Sequence, residues 1–240
     1  STRTAPLGSA GLILPDVDGT LSRSLKTGAA AKIEFSSSSG VAGAWSGTIA
    51  APPAAAPERD HLGVRLVSLA LPLATTRITQ TFSNETPEAI ITWAIRLSGL
   101  AVGKVAATGM VLPHFIASDC SVVALARQLA LTCQRSFDLD MSAWKLWLGA
   151  GGVNWGDFDE PGSVPTIASG EGLLLHAPTG GPCGLGAIET FLLPDLTHSR
   201  RFHLRDSRRG IDASYRALHV RHSGTVNRVR THIFYGAEHV

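Results

Sequence analysis

The chain has 240 residues, of which 44% are hydrophobic and 17% are charged, and its formal net charge is +2. Because about a quarter of the residues in a typical soluble protein are charged, this chain is poor in charge. Its apolar content excludes a disordered chain, and its composition excludes a long coiled coil. Its length allows one large domain or two small ones.

The beginning of the chain has the features of strands rather than helices. Residues 1–25 are rich in Gly, Pro, Ser and Thr and show no hydrophobic period, so we predict an arm or edge strands. Residues 30–35 and 44–50 are predicted to be strands. In the first of these, Lys32 and Glu34 alternate with apolar residues, which is the period of a half-buried strand.

A proline-rich segment follows these strands. Residues 51–57 contain three prolines, and because proline offers no N–H to a strand ladder we predict an extended linker or exposed loop there. Residues 61–73 form a β-rich apolar run that is too short and too often interrupted to span a bilayer. Since the sequence also begins without a secretory signal, we expect no membrane partner.

The clearest helix signal begins at Thr86. Thr86 is placed as the N-cap, Pro87 takes the first helical position, and Glu88 favours the positive end of the helix. Apolar residues then recur on one broad face, and Gly99 supplies the stop. These local signals predict a helix between Thr86 and Gly99.

A second helix and a hairpin are predicted next. Ser118 or Asp119 is the expected N-cap, and the apolar stripe that follows is expected to end near Cys133. Residues 135–139 and 144–148 are predicted to form a β-hairpin. Residues 149–170 are rich in Gly and Pro and are predicted to be a long loop.

The last third of the chain is strand-like again. Five strands are predicted, at residues 172–177, 187–193, 202–206, 213–222 and 227–235. A turn at Ser223 and Gly224 is expected to join the last two. In the final strand Val229, Thr231, Ile233 and Tyr235 are expected on one face, and Arg228, Arg230 and His232 on the other. The order strands, helices, strands predicts an α+β fold with small barrels or sheets rather than a doubly wound α/β fold.

Charge is unevenly distributed along the chain. Residues 197–235 hold nine arginines and two aspartates, a balance of +7, whereas residues 1–196 have a balance of −4. Arginines on strand faces form bidentate ion pairs at interfaces, so we predict a subunit or tube interface in this segment. Its candidate residues are Arg208, Arg209, Arg216, Arg228 and Arg230. Nucleic-acid binding through the same strands is an alternative, disfavoured because few aromatic residues are interleaved and no lysine occurs there.

One motif suggests an enzyme. Residues 16–21, Asp-Val-Asp-Gly-Thr-Leu, resemble the first motif of haloacid-dehalogenase-like phosphatases, which implies Asp16 as nucleophile and Asp18 as acid in a magnesium-dependent reaction. The surroundings argue against this alternative, because Pro15 removes a ladder donor and no βα alternation follows. Asp-Gly is also a common turn pair. An acidic second motif at residues 156–159 lies in the predicted Gly/Pro loop.

Other motifs give no catalytic, metal or cofactor residue. The glycine-rich residues 180–186 lack the Lys-Ser/Thr ending of a phosphate loop, and no histidine is placed to activate Cys183. The nine histidines show no zinc-ligand spacing. Three cysteines cannot supply a disulfide framework, so a reducing setting is expected. We therefore predict a protein that is not an enzyme and has no cofactor.

Four segments together resemble a known family. Residues 44–49 (AWSGTI) end a strand pair, residues 78–90 (ITQTFSNETPEAI) lead into the first helix, residues 112–119 (LPHFIASD) open the second, and residues 205–218 (RDSRRGIDASYRAL) begin the last strands. This order is similar to the late-control D type of baseplate hub in contractile-tailed phages, which is related to type VI secretion spike proteins.

The resemblance implies a fold and a function. It implies an N-terminal arm (1–25), two small tube-type antiparallel β-barrels (26–80 and 151–240) and a middle segment with two helices and a hairpin (81–150). It further implies a homotrimer whose pseudo-sixfold ring joins the tail tube to the central spike. The implied partners are the tail tube protein, a separate spike protein, and baseplate wedge or tape-measure proteins. The implied location is the virion tail baseplate, assembled in the host cytoplasm.

Overall fold

The computed structural model describes residues 7–37, 40–56, 60–141, 144–149, 151–157, 164–178, 185–198, 200–225 and 228–236. The chain divides into two compact units, one formed by Leu7–Pro72 and the other by the chain from Leu73 onward. Among the described helices, none combines the length and apolar character needed to cross a membrane.

The first unit is built on a five-stranded antiparallel sheet. Its elements are β1 (Ser9–Pro15), α1 (Thr20–Ser24), β2 (Ala30–Ser37), β3 (Gly40–Ile49), β4 (Ala54–Ala55) and β5 (His61–Ser68). The strand order is β1-β5-β3-β2, with β4 also paired to β5. The strands predicted at 30–35 and 44–50 are confirmed. The predicted linker is partly wrong, because Ala54 and Ala55 lie between its prolines and join the ladder of β5.

Alternation along these strands produces the core of the first unit. Ile49, Leu62, Val64 and Leu66 are buried, and a ring of half-buried side chains that includes Trp45 packs against them. β1 lies at one edge of the sheet, in the stretch predicted to be an arm or edge strands. α1 contributes a single helical turn between β1 and β2.

The second unit begins with three helices and two small sheets. Its elements are α2 (Pro72–Thr75), β6 (Arg77–Glu85), α3 (Pro87–Leu97), β7 (Val102–Val105), β8 (Leu112–Ser121), α4 (Val122–Phe137), β9 (Lys145–Gly149) and β10 (Gly152–Gly156). β6 and β8 form an antiparallel ribbon, and β7, β10 and β9 form a three-stranded sheet.

The first predicted helix is confirmed at its beginning and at its end. The Thr86 hydroxyl accepts a hydrogen bond from the Ala89 amide at 3.2 Å, and Pro87 occupies the first turn of α3. Gly99 follows the last turn with φ +76°, a conformation that glycine adopts without steric cost. The apolar face of α3, which includes Ile90 and Ile95, is buried.

The second helix differs from its prediction at both ends. The N-cap of α4 is Ser121, not Ser118 or Asp119, because residues 112–121 continue as a strand paired with β6. The helix runs on to Phe137 instead of ending near Cys133. The predicted strand at 135–139 is therefore wrong.

The predicted hairpin and the loop after it are also corrected. The hairpin is formed by β9 and β10, in which Leu148 pairs with Val153. β10 therefore lies inside the stretch predicted to be a loop. Its tertiary pairing with β9 and β7 outweighs the turn-forming tendency of the glycines that bound it.

The C-terminal strands close into a barrel. They are β11 (Thr166–Ser169), β12 (Gly172–Pro178), β13 (Gly186–Phe191), β14 (Arg201–Asp206), β15 (Ile211–Thr225) and β16 (Arg228–Gly236). Their cyclic order is β11-β12-β13-β16-β15-β14. β11 pairs in parallel with β12 and β14, and the other neighbours are antiparallel. The α+β fold class with β-barrel architecture is confirmed.

The barrel confirms the five strands predicted for this part of the chain. β11 was not predicted, and the turn predicted at Ser223 and Gly224 is wrong because both residues continue β15. The alternation predicted for the last strand is confirmed, since Ile233 and Tyr235 are buried and Arg228 is exposed. The side chains that fill the barrel are Ile167, Ile188, Leu196, Phe202, Leu204, Ala217, Val220, Ile233 and Tyr235.

Candidate functional site

The outer face of β13 and β16 carries charged and aromatic side chains side by side. In the ladder between these strands Phe191 pairs with Arg230 and Ala187 pairs with Phe234. We name the surface formed by Glu189, Phe191, Arg228, Arg230 and Phe234 the arginine–phenylalanine face. Because side chains alternate across a strand, all five point away from the barrel core.

Two arginines of this face share one carboxylate. Arg228 Nη2 lies 2.6 Å from Glu189 Oε1, and Arg230 Nε lies 3.5 Å from the same oxygen. The guanidinium carbon of Arg230 is 5.2 Å from the centroid of the Phe191 ring, within range of a cation–π interaction. The cluster therefore holds two positive charges against one negative charge.

The aromatic side chains of the face are open to solvent. Phe191 is 53% exposed and Phe234 is 52% exposed, and Leu175 of the neighbouring strand is exposed as well. Aromatic and arginine side chains are enriched at protein interfaces, where burying an aromatic ring contributes strongly to affinity. The arrangement is suited to binding another protein surface.

The other predicted interface arginines lie elsewhere. Arg208 and Arg209 are exposed in the turn between β14 and β15, where Arg209 Nη1 lies 3.3 Å from Asp206 Oδ2. Arg216 is only 2% exposed, and its guanidinium lies 4.0 Å from the Asp157 carboxylate. The structure thus places Arg228 and Arg230 side by side on one face, whereas Arg216 is buried.

A buried polar network crosses the barrel interior. Asp206 Oδ2 lies 2.6 Å from His176 Nδ1, and the other ring nitrogen, Nε2, lies 2.6 Å from the hydroxyl of Tyr235. Ser169 Oγ lies 3.3 Å from the second carboxylate oxygen of Asp206. We name Ser169, His176, Asp206 and Tyr235 the barrel network; its members come from β11, β12, β14 and β16.

The environment of the barrel network shifts two of its pKa values. The hydrogen bond with His176 lowers the pKa of Asp206, against the opposing effect of burial, and hydrogen bonds from the Arg208 amide and the Arg209 side chain act in the same direction. Burial raises the pKa of Tyr235 to about 12. Asp206 is 1% exposed, so the network is closed to a substrate and acts within the fold.

Sequence reasoning missed the barrel network, although a signal existed. His176 and Asp206 are polar residues at positions where the alternation of β12 and β14 points inward. A buried charge needs a partner, so two such positions in strands on either side of β11 suggest a pair. Gly186 is part of the same arrangement, because a Cβ there would collide with the Tyr235 ring and hydroxyl.

The phosphatase motif forms a turn and a helix cap. Asp16 accepts hydrogen bonds from the amides of Leu21 and Ser22 at 2.8 and 3.0 Å, and Asp18 accepts one from the Thr20 amide at 3.0 Å. Asp16 follows an antiparallel edge strand, not the central parallel strand that such a phosphatase uses.

The other predicted motifs are placed as follows. Asp159 of the second acidic motif, and Cys183 with most of its glycine-rich segment, lie outside the described residues. Cys120 and Cys133 are buried, and burial raises the pKa of both thiols. In the described part of the chain no group of three or more His, Cys, Asp and Glu side chains is placed to hold a metal ion.

Comparison with solved structures reveals the same fold in tail proteins. The 43 kDa tail protein of prophage MuSo2 from Shewanella oneidensis matches with a TM-score of 0.69 and 9% identity, covering 98% of this chain and 92% of that one. A tail protein from Neisseria meningitidis MC58 matches with a TM-score of 0.66 and 13% identity, covering 99% and 90%.

A third structure extends the likeness to a secretion system. The Escherichia coli c3393 protein is a component of the type VI secretion system that exhibits structural similarity to the T4 bacteriophage tail proteins gp27 and gp5. It matches with a TM-score of 0.58 and 12% identity, covering 95% of this chain and 69% of that one. Neither a protein-family model nor a curated protein sequence matches the chain.

Proposed function

We propose that this protein is a structural subunit of a phage-type tail, and that within the tail it forms the baseplate hub. In this role three copies form a pseudo-sixfold ring that joins the tail tube to a separate spike protein. The observation that carries the proposal is the whole-chain likeness to two tail proteins, which covers 98% and 99% of the chain. A likeness over the full length favours a shared architecture over a shared small motif.

The polar chemistry of the chain supports a structural role. The barrel network is the best-formed group of ionisable residues described above, and it is buried inside the barrel. The Asp16 carboxylate is used as a helix cap. In both features the ionisable groups stabilise the fold, so we propose a protein that is not an enzyme. We also propose that it works in the virion tail after assembly in the host cytoplasm.

Four of the five candidate interface arginines are exposed or half-buried, and the interface proposal is limited to these four. Arg228 and Arg230 lie on the arginine–phenylalanine face, and Arg208 and Arg209 project from the turn after β14. We propose that these four contribute to contacts with neighbouring copies, the tail tube protein, or baseplate wedge and tape-measure proteins. The burial of Arg216 gives it an internal position.

Purified particles and the purified protein together test this proposal. We expect the protein in tail particles analysed by mass spectrometry, at three copies per tail, and tails without a spike when its gene is deleted. We also expect a threefold mass for the isolated protein in light scattering. A stable monomer that is also absent from particles would rule the proposal out.

A further inference from the structure

The turn that carries the phosphatase motif is rigid and projects an apolar side chain. Its backbone is fixed by a hydrogen bond from the Gly19 amide to the Asp16 carbonyl at 3.2 Å and by one from Arg23 Nη2 to the Asp18 carbonyl at 3.1 Å. Gly19 has φ +68°, which few other residues adopt. We name residues Asp16, Val17, Asp18 and Gly19 the acidic turn.

Val17 at the tip of the acidic turn is 80% exposed, more than any other large hydrophobic residue in the described part of the chain. Aspartates flank it on both sides. The turn is ordered by its own hydrogen bonds, so little conformational entropy would be lost when it binds a partner. A preorganised turn with an apolar tip and two carboxylates has the chemistry of a docking element.

The arginine–phenylalanine face has the complementary chemistry. It offers two exposed phenylalanine rings around a cluster with an excess positive charge, since Arg228 and Arg230 share only Glu189. An exposed apolar tip fits against the exposed Phe191 ring, and the Asp18 carboxylate fits beside two arginines that have one carboxylate between them. The chain carries both surfaces, and its net charge of +2 opposes self-association only weakly.

We propose that the acidic turn of one copy docks onto the arginine–phenylalanine face of a second copy, with Val17 against Phe191 and Asp18 beside Arg228. The contact joins two different surfaces, so each copy uses its turn on one neighbour and its face on the other. Contacts of this kind close into a ring when the rotation between copies is suitable. The inference rests on the proposed ring and names the contact that holds it together.

Charge reversal and its rescue test this contact. The association of the full chain is measured by sedimentation equilibrium for wild type, Asp18→Arg, Arg228→Asp and the double variant. Each single reversal is expected to weaken association by about tenfold or more, which corresponds to about 1.4 kcal/mol, and the double variant is expected to recover most of the loss. Asp18→Asn, which keeps a side-chain acceptor for the Thr20 amide, separates the charge from the turn geometry.

Three outcomes of the association measurements would contradict the proposed contact. Association that is unchanged in both single variants, or a wild-type chain that stays monomeric, overturns the inference. Loss of association in Arg228→Asp alone shows that the face binds another part of the second copy and also overturns it. Circular dichroism verifies that each variant is folded. The proposed function fails separately, by absence of the protein from tail particles, whatever the variants do.

Discussion

Asp206 is a buried carboxylate whose partners come from several strands of the barrel. It accepts hydrogen bonds from the Arg208 amide at 3.0 Å and from Ser169 and is paired with His176. Hydrogen bonds to a charged group stabilise a fold by about 1.5–3 kcal/mol. Asp206→Asn removes the charge but keeps the shape, and we expect it to lower the free energy of unfolding by about 2 kcal/mol in urea titrations at pH 7.

The same residue makes stability depend on pH. Because the pKa of Asp206 is lower in the folded state than in the unfolded chain, where it is about 3.9, its contribution is present above that value. It is lost as the pH falls through the folded-state pKa. Below about pH 4 we therefore expect the stability of wild type to fall more steeply than that of Asp206→Asn. Parallel curves for the two proteins would contradict this assignment.

Tyr235 allows the other end of the barrel network to be tested. Tyr235→Phe removes the hydroxyl that lies 2.6 Å from His176 Nε2 and leaves that buried nitrogen without this partner. An unsatisfied buried polar atom costs about 1–3 kcal/mol, so we expect a loss of that size in urea unfolding. Tyr215→Phe is the matched control, because Tyr215 packs against Tyr235 with ring centroids 4.5 Å apart but is not part of the network. Equal losses of unfolding free energy in Tyr235→Phe and Tyr215→Phe would show that the effect comes from the packing of the two aromatic rings and not from the hydrogen bond to His176.

At the scale of single elements, the cap of α3 gives a direct test. Thr86→Ala removes the acceptor for the Ala89 amide and is expected to lower stability by about 1 kcal/mol. Thr92→Ala makes the same change inside α3, where alanine is the better helix former, and should be neutral or slightly stabilising. Urea unfolding of the two variants measures the difference.

β11, the short strand that joins β12 to β14 in the barrel, offers a second test at this scale. β11 contributes Ile167 to the barrel core, where it is 1% exposed. Truncating a buried isoleucine to alanine costs about 2–5 kcal/mol, and we expect Ile167→Ala to fall in this range and to increase amide hydrogen exchange in β11 and β14. Ile13→Ala on exposed β1 is the control and should cost under about 1 kcal/mol. Amide hydrogen exchange that stays unchanged in β14 would show that β14 does not depend on its pairing with β11.

These elements also indicate which features a sequence can predict. α3 was predictable because its cap, its proline and its terminal glycine are all local. β8 was not, because residues near Ser118 carry a helix-start signal that is outweighed by pairing with β6 forty residues earlier. β11 has only four residues, and one of its two parallel partners, β14, is distant in sequence. The barrel network escaped prediction for the same reason, since only the closed barrel brings His176 to Asp206.

At the scale of the whole molecule, the order of elements predicted more than any single motif did. The fold is shared with tail proteins at 9% and 13% identity, so what the chains have in common is the arrangement of strands and helices. The motif most suggestive of an enzyme proved to be a turn and a helix cap. The arginine-rich segment proved to supply three strands of the closed barrel, β14, β15 and β16.

The two units are expected to differ in stability. Four apolar residues form the buried core cluster of the first unit, whereas the barrel cluster alone has nine. Trp45 is the only one of the five tryptophans in the first unit, so its fluorescence reports on that unit. We expect a fluorescence transition at lower urea concentration than the main loss of circular dichroism, and its disappearance in Trp45→Phe. A single coincident transition would show that the units unfold together.

The parallel pairing of β11 has a consequence for how the protein is made. β11 is the first barrel strand to leave the ribosome, yet it joins β12 through only two residue pairs, and its other neighbour, β14, is synthesised more than thirty residues later. Contacts between distant parts of a chain form slowly. The barrel closes only after β16, the last of its strands to be made, has paired with β13 and β15, and until then the nascent barrel has two open edges that can pair with other chains. Synthesis of β16 thus ends the period in which the strand edges of the nascent barrel are open to other chains.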